Sequence, residues 1–194
     1  KDQIKIIDKT GKIPYDKETF DFVTSMDVFE HVENLELVLY EINRVLKDNG
    51  IILCSFPLKS SYIEGHYCIP LSHWFKPCSK IRKSWVLFFY KLGLGAQRNK
   101  CSSFDDWYKM AFSFIDNYCH FRTRAEFLAC CKKLNFEVHS RSKEYLIFRL
   151  KQREGYFSKM MFPIVNVLPG GFISKLIQIR SGACFELIKH HPSS

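Results

Sequence analysis

Nowhere in the sequence do eighteen apolar residues run together, so no segment has the continuity of a membrane-crossing helix. The eight cysteines contain no C-x-x-C and no spacing of a disulfide framework. Several lie inside apolar runs, where a free thiol behaves as a small hydrophobe; this usage fits a reducing, cytoplasmic compartment. No block of five or six basic residues is present either. The 29 Lys and Arg that outnumber 20 acidic residues, for a net charge of +9, are scattered, which reads as a solvated surface and argues against a nucleic-acid partner. Basic and aromatic residues do not alternate as in single-strand binders, so the eighteen Phe are assigned to buried contacts. Internal repeats and low-complexity stretches are missing. No start methionine, basic leader or cleavage site precedes the apolar run Ile4–Ile7, and the natural amino terminus is expected upstream of Lys1.

What is there alternates in type. Ile4–Ile7 reads as a short strand ending at Asp8, followed by a loop in which Gly11, Pro14 and Asp16 supply turn chemistry. Phe20–Met26 reads as a second strand and Ile51–Phe56 as a third, stopped by Pro57. Between them, Leu35, Val38, Leu39, Ile42, Val45 and Leu46 share one helical face, with Asn34 as N-cap and Asn49-Gly50 closing the far end. Strand, helix, strand at these lengths is a βαβ unit and hence a parallel pair.

Residues 59–118 break this alternation and are read as an aromatic insertion over one end of the sheet, with helices over 84–92 and 105–118. A further helix is predicted over 124–134, opened by a capping box of Thr123 and Glu126 and closed by Asn135 in the left-handed region. Phe136–Ser140 and Tyr145–Leu150 are read as a pair of strands. Residues 1–150 thus form one α/β unit, and 151–194 a basic, apolar, helical appendage. Apolar residues over 84–94 and 157–188, on a basic chain, would suit peripheral contact with a membrane surface.

The pieces Ile13-Pro14-Tyr15, Phe20-Asp21-Phe22-Val23, Glu30-His31-Val32, Arg44-Val45-Leu46-Lys47 and Asp48-Asn49-Gly50 follow one another within about forty-five residues. In that order and spacing they resemble the central block of class I S-adenosylmethionine-dependent methyltransferases. His120 to Val138 resembles a later segment of the same family, with Asn135 where glycine is usual. The resemblance implies an α/β fold, an incomplete doubly wound, Rossmann-like and mostly parallel sheet, with ligands at the carboxyl ends of the strands. It implies methyl transfer from S-adenosylmethionine to a small-molecule acceptor. The family's Gly-x-Gly-x-Gly loop has no counterpart in the sequence; Gly93-Leu94-Gly95 follows a predicted helix instead of joining strand to helix. A fragment that binds cofactor poorly is therefore expected, and a non-catalytic, degenerate binding module is the alternative.

By the same resemblance, Ser25, Met26 and Asp27 wall the methionine end of the cofactor. Asp8 is placed to accept from the adenine amino group, and Ile13 and Pro14 to pack against the ring. Glu30 and His31 are the candidate catalytic pair, since displacement from a sulfonium needs an aligned nucleophile and often a nearby base. Asp27, Glu30 and His31 also stand where some relatives hold a divalent cation, but no metal is assigned on spacing alone. His66, His73 and Trp74, just after the third strand, are candidate acceptor contacts. With Cys68 and Cys78, His66 and His73 offer ligand types for zinc at a spacing matching no common zinc pattern.

Overall fold

The computed structural model describes residues 4–7, 11–152, 156–173, 175 and 182–190. Its sheet begins with strand β1, Phe20–Met26, followed by helix α1, Leu35–Val45, and strand β2, Leu46–Phe56. The two strands pair in parallel, as the βαβ reading required. The Asn34 side chain caps α1 by accepting from Leu37 N at 3.1 Å, which satisfies one of the orphan donors of the first turn. The helix runs directly into β2 through an extended Leu46. Asn49 is left-handed, φ 60°, as predicted, but it lies in an irregular stretch where the β1–β2 register shifts. Gly50 is needed there, because a Cβ would come within 2.8 Å of the Lys47 carbonyl oxygen.

After β2 come helices α2, Lys80–Lys91, and α3, Phe104–Tyr118, then α4, Arg124–Lys133, and strand β3, Phe136–Ser140. The capping box at Thr123 and Glu126 is present in both directions, and Asn135 adopts φ 56°. Helices α5, Ser142–Lys151, and α6, Tyr156–Val167, lead to a last strand, β4, Ala183–Lys189. The strand order is β1-β2-β4-β3, parallel at β1–β2 and antiparallel on both sides of β4.

Two expected strands are corrected. Ile4–Ile7 has no regular secondary structure, and Ile4 and Ile6 are 90% and 87% exposed. Among the described residues it has no strand to pair with; what ties it down is Lys5, whose ammonium reaches the Pro14 carbonyl at 3.1 Å and lies over the Tyr15 ring. Tyr145–Leu150 belongs to α5. Its Leu146, Ile147 and Leu150 pack with Met161, Val165, Leu168 and Ile173 from the tail, so tertiary burial decides in favour of helix. The strand that pairs with β3 is β4, drawn from the tail that the sequence reading took as helical.

The principal core lies on one face of the sheet. Leu35, Leu39 and Ile42 of α1 and Phe127 and Cys131 of α4 cover Ile52, Cys54 and Phe56 of β2 and Phe185 and Leu187 of β4. Each large apolar side chain buried there contributes about 1.5–3 kcal/mol. The insertion has its own core of Tyr67, Ile69, Val86, Trp107, Ala111, Phe112 and Ile115. No helix among the described residues is long and apolar enough to cross a membrane.

All eight cysteines are free thiols, and burial separates them. Desolvation raises the Cys131 thiol to about 12 and the Cys184 thiol to about 11, and raises the Cys54 thiol well above its usual value. At neutral pH these three are expected to resist maleimide until the chain unfolds, whereas the exposed Cys68 and Cys78 label at once. Peptide-resolved labelling with and without urea reads the difference, and prompt modification of Cys54 in native protein would contradict the packing.

Candidate functional site

The carboxyl ends of β1 and β2 meet at Met26 and Ser55, which are register partners. Beyond Met26 the chain turns sharply. Asp27 sits at φ 54° with its N–H donating to the Ser55 carbonyl at 2.7 Å, and Phe29–His31 forms one turn of 3-10 helix. Phe29 enters the core, and Glu30 and His31 are left at the strand ends. Arg122 fastens this turn by donating to the carbonyls of Phe29, Val32, Glu33 and His120.

Glu30 is 3% exposed. Desolvation raises its carboxyl pKa, and Oε2 has no hydrogen-bond partner among the described residues. The hydroxyls of Ser25 and Ser55, also buried at this edge, are likewise without partners. Three buried polar atoms at the ends of adjacent strands need an explanation, since such groups in folded proteins are ordinarily bonded to protein, water or ligand.

His31 is exposed, and its Nδ1 lies 2.7 Å from the Tyr118 carbonyl. A carbonyl can only accept, so Nδ1 carries the hydrogen and Nε2 of the neutral ring keeps its lone pair. His66 meets it from the other side. A bridge between Ile63 and Pro70 closes a loop in which the buried Glu64 carboxylate accepts from His66 N at 2.8 Å, His66 Nδ1 at 2.7 Å and Tyr67 N at 2.7 Å. The two rings come together with Nε2 to Nε2 at 3.3 Å, and Phe114 of α3 packs against both, at centroid distances of 5.7 and 5.3 Å. Cys119, just past the end of α3, places its sulfur 3.9 Å from His31 Nδ1 and 4.0 Å from His66 Nε2. The sulfur contact and then the Glu64 bond push the His66 imidazole up to about 10.

The structure therefore joins His31 and His66, which the sequence offered in different roles, and adds Cys119, which sequence reasoning knew only as one of eight cysteines. His73 and Trp74 occupy a neighbouring stretch: His73 Nε2 is 3.2 Å from the Lys59 carbonyl, its ring packs on Phe121, and burial lowers its pKa. Trp74 donates to the Ser61 carbonyl, packs at a tilt against Tyr62 and remains 48% exposed. Ser25 is buried at the end of β1, with Met26 and Asp27 exposed beside it. Ile13 and Pro14 are held against α1, where Glu41 accepts from Ile13 N at 2.9 Å and Arg44 donates to the carbonyls of Ile13 and Tyr15. Asp8 lies outside the described residues.

A sequence model described as methyltransferase domain matches residues 2–141. A search of curated proteins returns no match. Among solved structures, the chain is similar to the YcgJ protein of Bacillus subtilis, at 13% identity and TM-score 0.41, covering 94% of this chain and 69% of that one. It is similar to an S-adenosylmethionine-dependent methyltransferase of Mesorhizobium loti, at 10% identity and TM-score 0.45, covering 94% and 68%. A phosphoethanolamine N-methyltransferase of Haemonchus contortus, solved with S-adenosylhomocysteine and phosphomonomethylethanolamine, is similar at 15% identity and TM-score 0.38, covering 91% and 35%. The chain thus spans between about a third and two thirds of the length of these structures. On the match over residues 2–141, with its parallel βαβ unit in the expected place, the chain belongs to the methyltransferase domain family.

Proposed function

We propose that this chain supplies the acceptor side of an S-adenosylmethionine-dependent methyl-transfer site for a small molecule, with Glu30 and His31 as its catalytic pair. The observation that carries the reading is the trio of partnerless buried atoms, Ser25 Oγ, Ser55 Oγ and Glu30 Oε2, at the strand ends of a chain of this family. These atoms leave bonding capacity for polar groups at this edge, Ser25 and Ser55 on opposite faces of the sheet by their register, and the residues at the end of β1 suit the methionine end of the cofactor. When bound, the cofactor supplies a methyl group on a sulfonium.

The protein's own contribution is positional and acid–base. Ser25, Met26 and Asp27 hold the donor at the β1 terminus, Ile13, clamped by Glu41 and Arg44, stands with Pro14 on the adenine side, and Asp8 is assigned the adenine amino group. His31, with Nδ1 committed to the Tyr118 carbonyl, presents Nε2 to take the proton that an acceptor hydroxyl or amine releases. Glu30, whose carboxyl pKa burial raises, orients the same group. His66, His73 and Trp74 contact the acceptor, Trp74 as an apolar wall.

The reading requires a glycine-rich loop, which residues 1–194 do not contain. Calorimetry with S-adenosylhomocysteine, on this chain and on its extended reading frame, tests it: binding by the extended protein alone is expected. Binding by neither would favour the degenerate, non-catalytic module. In the extended protein, His31→Ala is expected to lower turnover by about 100-fold or more while leaving cofactor affinity within about twofold. Equal turnover would remove His31 from the chemistry.

A further inference from the structure

We infer that His31, His66 and Cys119 form a binding site for a single zinc-type divalent cation, with a fourth coordination position open. The candidate ligand atoms of the three residues all lie within 4.8 Å of one another. They come from three separate parts of the chain: the turn after β1, the loop after β2 and the end of α3.

Each imidazole has its Nδ1 on an oxygen acceptor, the Glu64 carboxylate for His66 and the Tyr118 carbonyl for His31, both at 2.7 Å. In the neutral rings this keeps the hydrogen on Nδ1 and leaves Nε2 as the nitrogen that can bind a cation, the outer-shell arrangement of metal-bound histidines, in which a carboxylate or carbonyl holds the far nitrogen. The two Nε2 atoms then face each other at 3.3 Å. Two lone pairs at that separation repel unless a proton or a cation lies between them. Bonds of about 2.05 Å to a tetrahedral zinc place two imidazole nitrogens about 3.3 Å apart, and a thiolate sulfur about 3.6 Å from each. The Cys119 sulfur now lies 4.0 Å from both nitrogens of His66 and 3.9 Å from His31 Nδ1, so binding requires the Cys119 side chain to rotate toward the two Nε2 atoms.

The donor set selects the ion. Two imidazoles and one thiolate suit zinc and exclude magnesium and calcium, which demand oxygen. Three protein ligands leave one position for water or an exogenous group, as in catalytic zinc sites. Exposed His31 gives an entry path, while Phe114 walls the rings on the protein side. The cluster uses one residue of the Asp27, Glu30 and His31 set and one of the His66, Cys68, His73 and Cys78 set, so it differs from both groupings offered by sequence spacing. A bound ion would take the His31 Nε2 lone pair, so in the metal-bound form an acceptor hydroxyl or thiol would be activated by polarisation at the open position and not by His31 as base; that role rests on the methyl-transfer reading, whereas the site does not.

Titration of the metal-free chain with cobalt(II), and competition with zinc(II), tests the proposal without any methyl donor. One equivalent is expected to bind, with d–d bands of tetrahedral intensity and a thiolate-to-cobalt charge-transfer band that zinc abolishes. Cys119→Ser should eliminate the charge-transfer band, and His31→Ala and His66→Ala should each weaken binding by about 100-fold or more. Glu64→Gln should keep the band and weaken binding by about 10–100-fold, the effect of loosening an outer-shell partner. The double variant Cys68→Ser/Cys78→Ser should behave as the wild type. Absence of a tetrahedral cobalt spectrum would overturn the site and leave the two rings sharing a proton. A charge-transfer band that survives Cys119→Ser, or one lost with Cys68 and Cys78, would overturn it equally. Because S-adenosylhomocysteine binding is measured separately, failure of the metal site and failure of the methyl-transfer reading are distinguishable.

Discussion

Replacing Asp116 by alanine is expected to destabilise the protein by about 3–5 kcal/mol, because it leaves a guanidinium buried without its counter-charge. Arg82 of α2 is 2% exposed and meets Asp116 of α3 through two parallel bonds of 2.7 and 2.6 Å. Its Nε donates to the Tyr108 hydroxyl at 3.2 Å, and the guanidinium carbon lies 4.7 Å from the Phe112 ring centroid. The hydroxyl and the ring remain when Asp116 is gone, yet neither neutralises the charge. Replacing both partners together, Arg82→Met with Asp116→Leu, should recover most of the loss, since an apolar pair of similar volume avoids the desolvation cost altogether. Urea unfolding of the wild type, the single variant and the double variant measures this. A loss under about 1 kcal/mol for Asp116→Ala would mean that the pair is solvated.

That pair matters for function through its position in the chain. Asp116 lies between Phe114, which packs on both imidazoles, and Tyr118 and Cys119, which supply the carbonyl and the sulfur. The end of α3 is held in place from two sides, by Arg82 and by the His120 N–H, which donates to the Glu30 carbonyl at 2.6 Å. Loosening α3 should therefore weaken cobalt binding in Asp116→Ala more than its stability loss alone predicts at denaturant-free conditions, because three of the groups that organise the cluster move with one helix end.

What could be read from the sequence was what local chemistry determines. The face of α1 is written in offsets of three and four, and Asn34 caps it as its side chain allows. The Thr123–Glu126 box marks the start of α4 because both reciprocal bonds are made within four residues. Where the outcome depended on a distant partner, local reading failed. Ile4–Ile7 is as apolar as a strand yet has no strand partner among the described residues; Tyr145–Leu150 alternates poorly enough to be either, and residues of α6 and beyond decide it. The site shows the same division. Glu30 and His31 carried a local signature, whereas Cys119 is 88 residues from His31 and 53 from His66, and nothing in its neighbourhood distinguishes it from seven other cysteines. A His-His-Cys set assembled by tertiary contacts has no spacing to find.

The longest-range dependence is in the sheet, and it yields the second large expected effect: Gly182→Ala should cost about 3 kcal/mol or more. Gly182 precedes β4 at φ +104°, where an L-residue is strained by about 1–2 kcal/mol. An added Cβ would also lie 2.8 Å from the Phe56 carbonyl carbon and 2.8 Å from the Pro57 Cα, and still closer to the Phe56 oxygen. These are backbone atoms at the end of β2 and cannot swing away, so the overlap adds a further 1–3 kcal/mol or so. The strand that follows Gly182 is the one that lies between β2 and β3, with Phe185 and Leu187 fully buried. If residue 182 cannot approach Phe56 this closely, β4 has to shift away from β2, and the partners of Cys54 and Ser55 shift with it. Hydrogen exchange in Gly182→Ala should accordingly rise first along 51–56 and 183–188, while α2 and α3, which have their own core, keep their protection. Unchanged exchange in β2, with a stability loss below about 1 kcal/mol, would show that the close approach at Phe56 is not what seats the last strand.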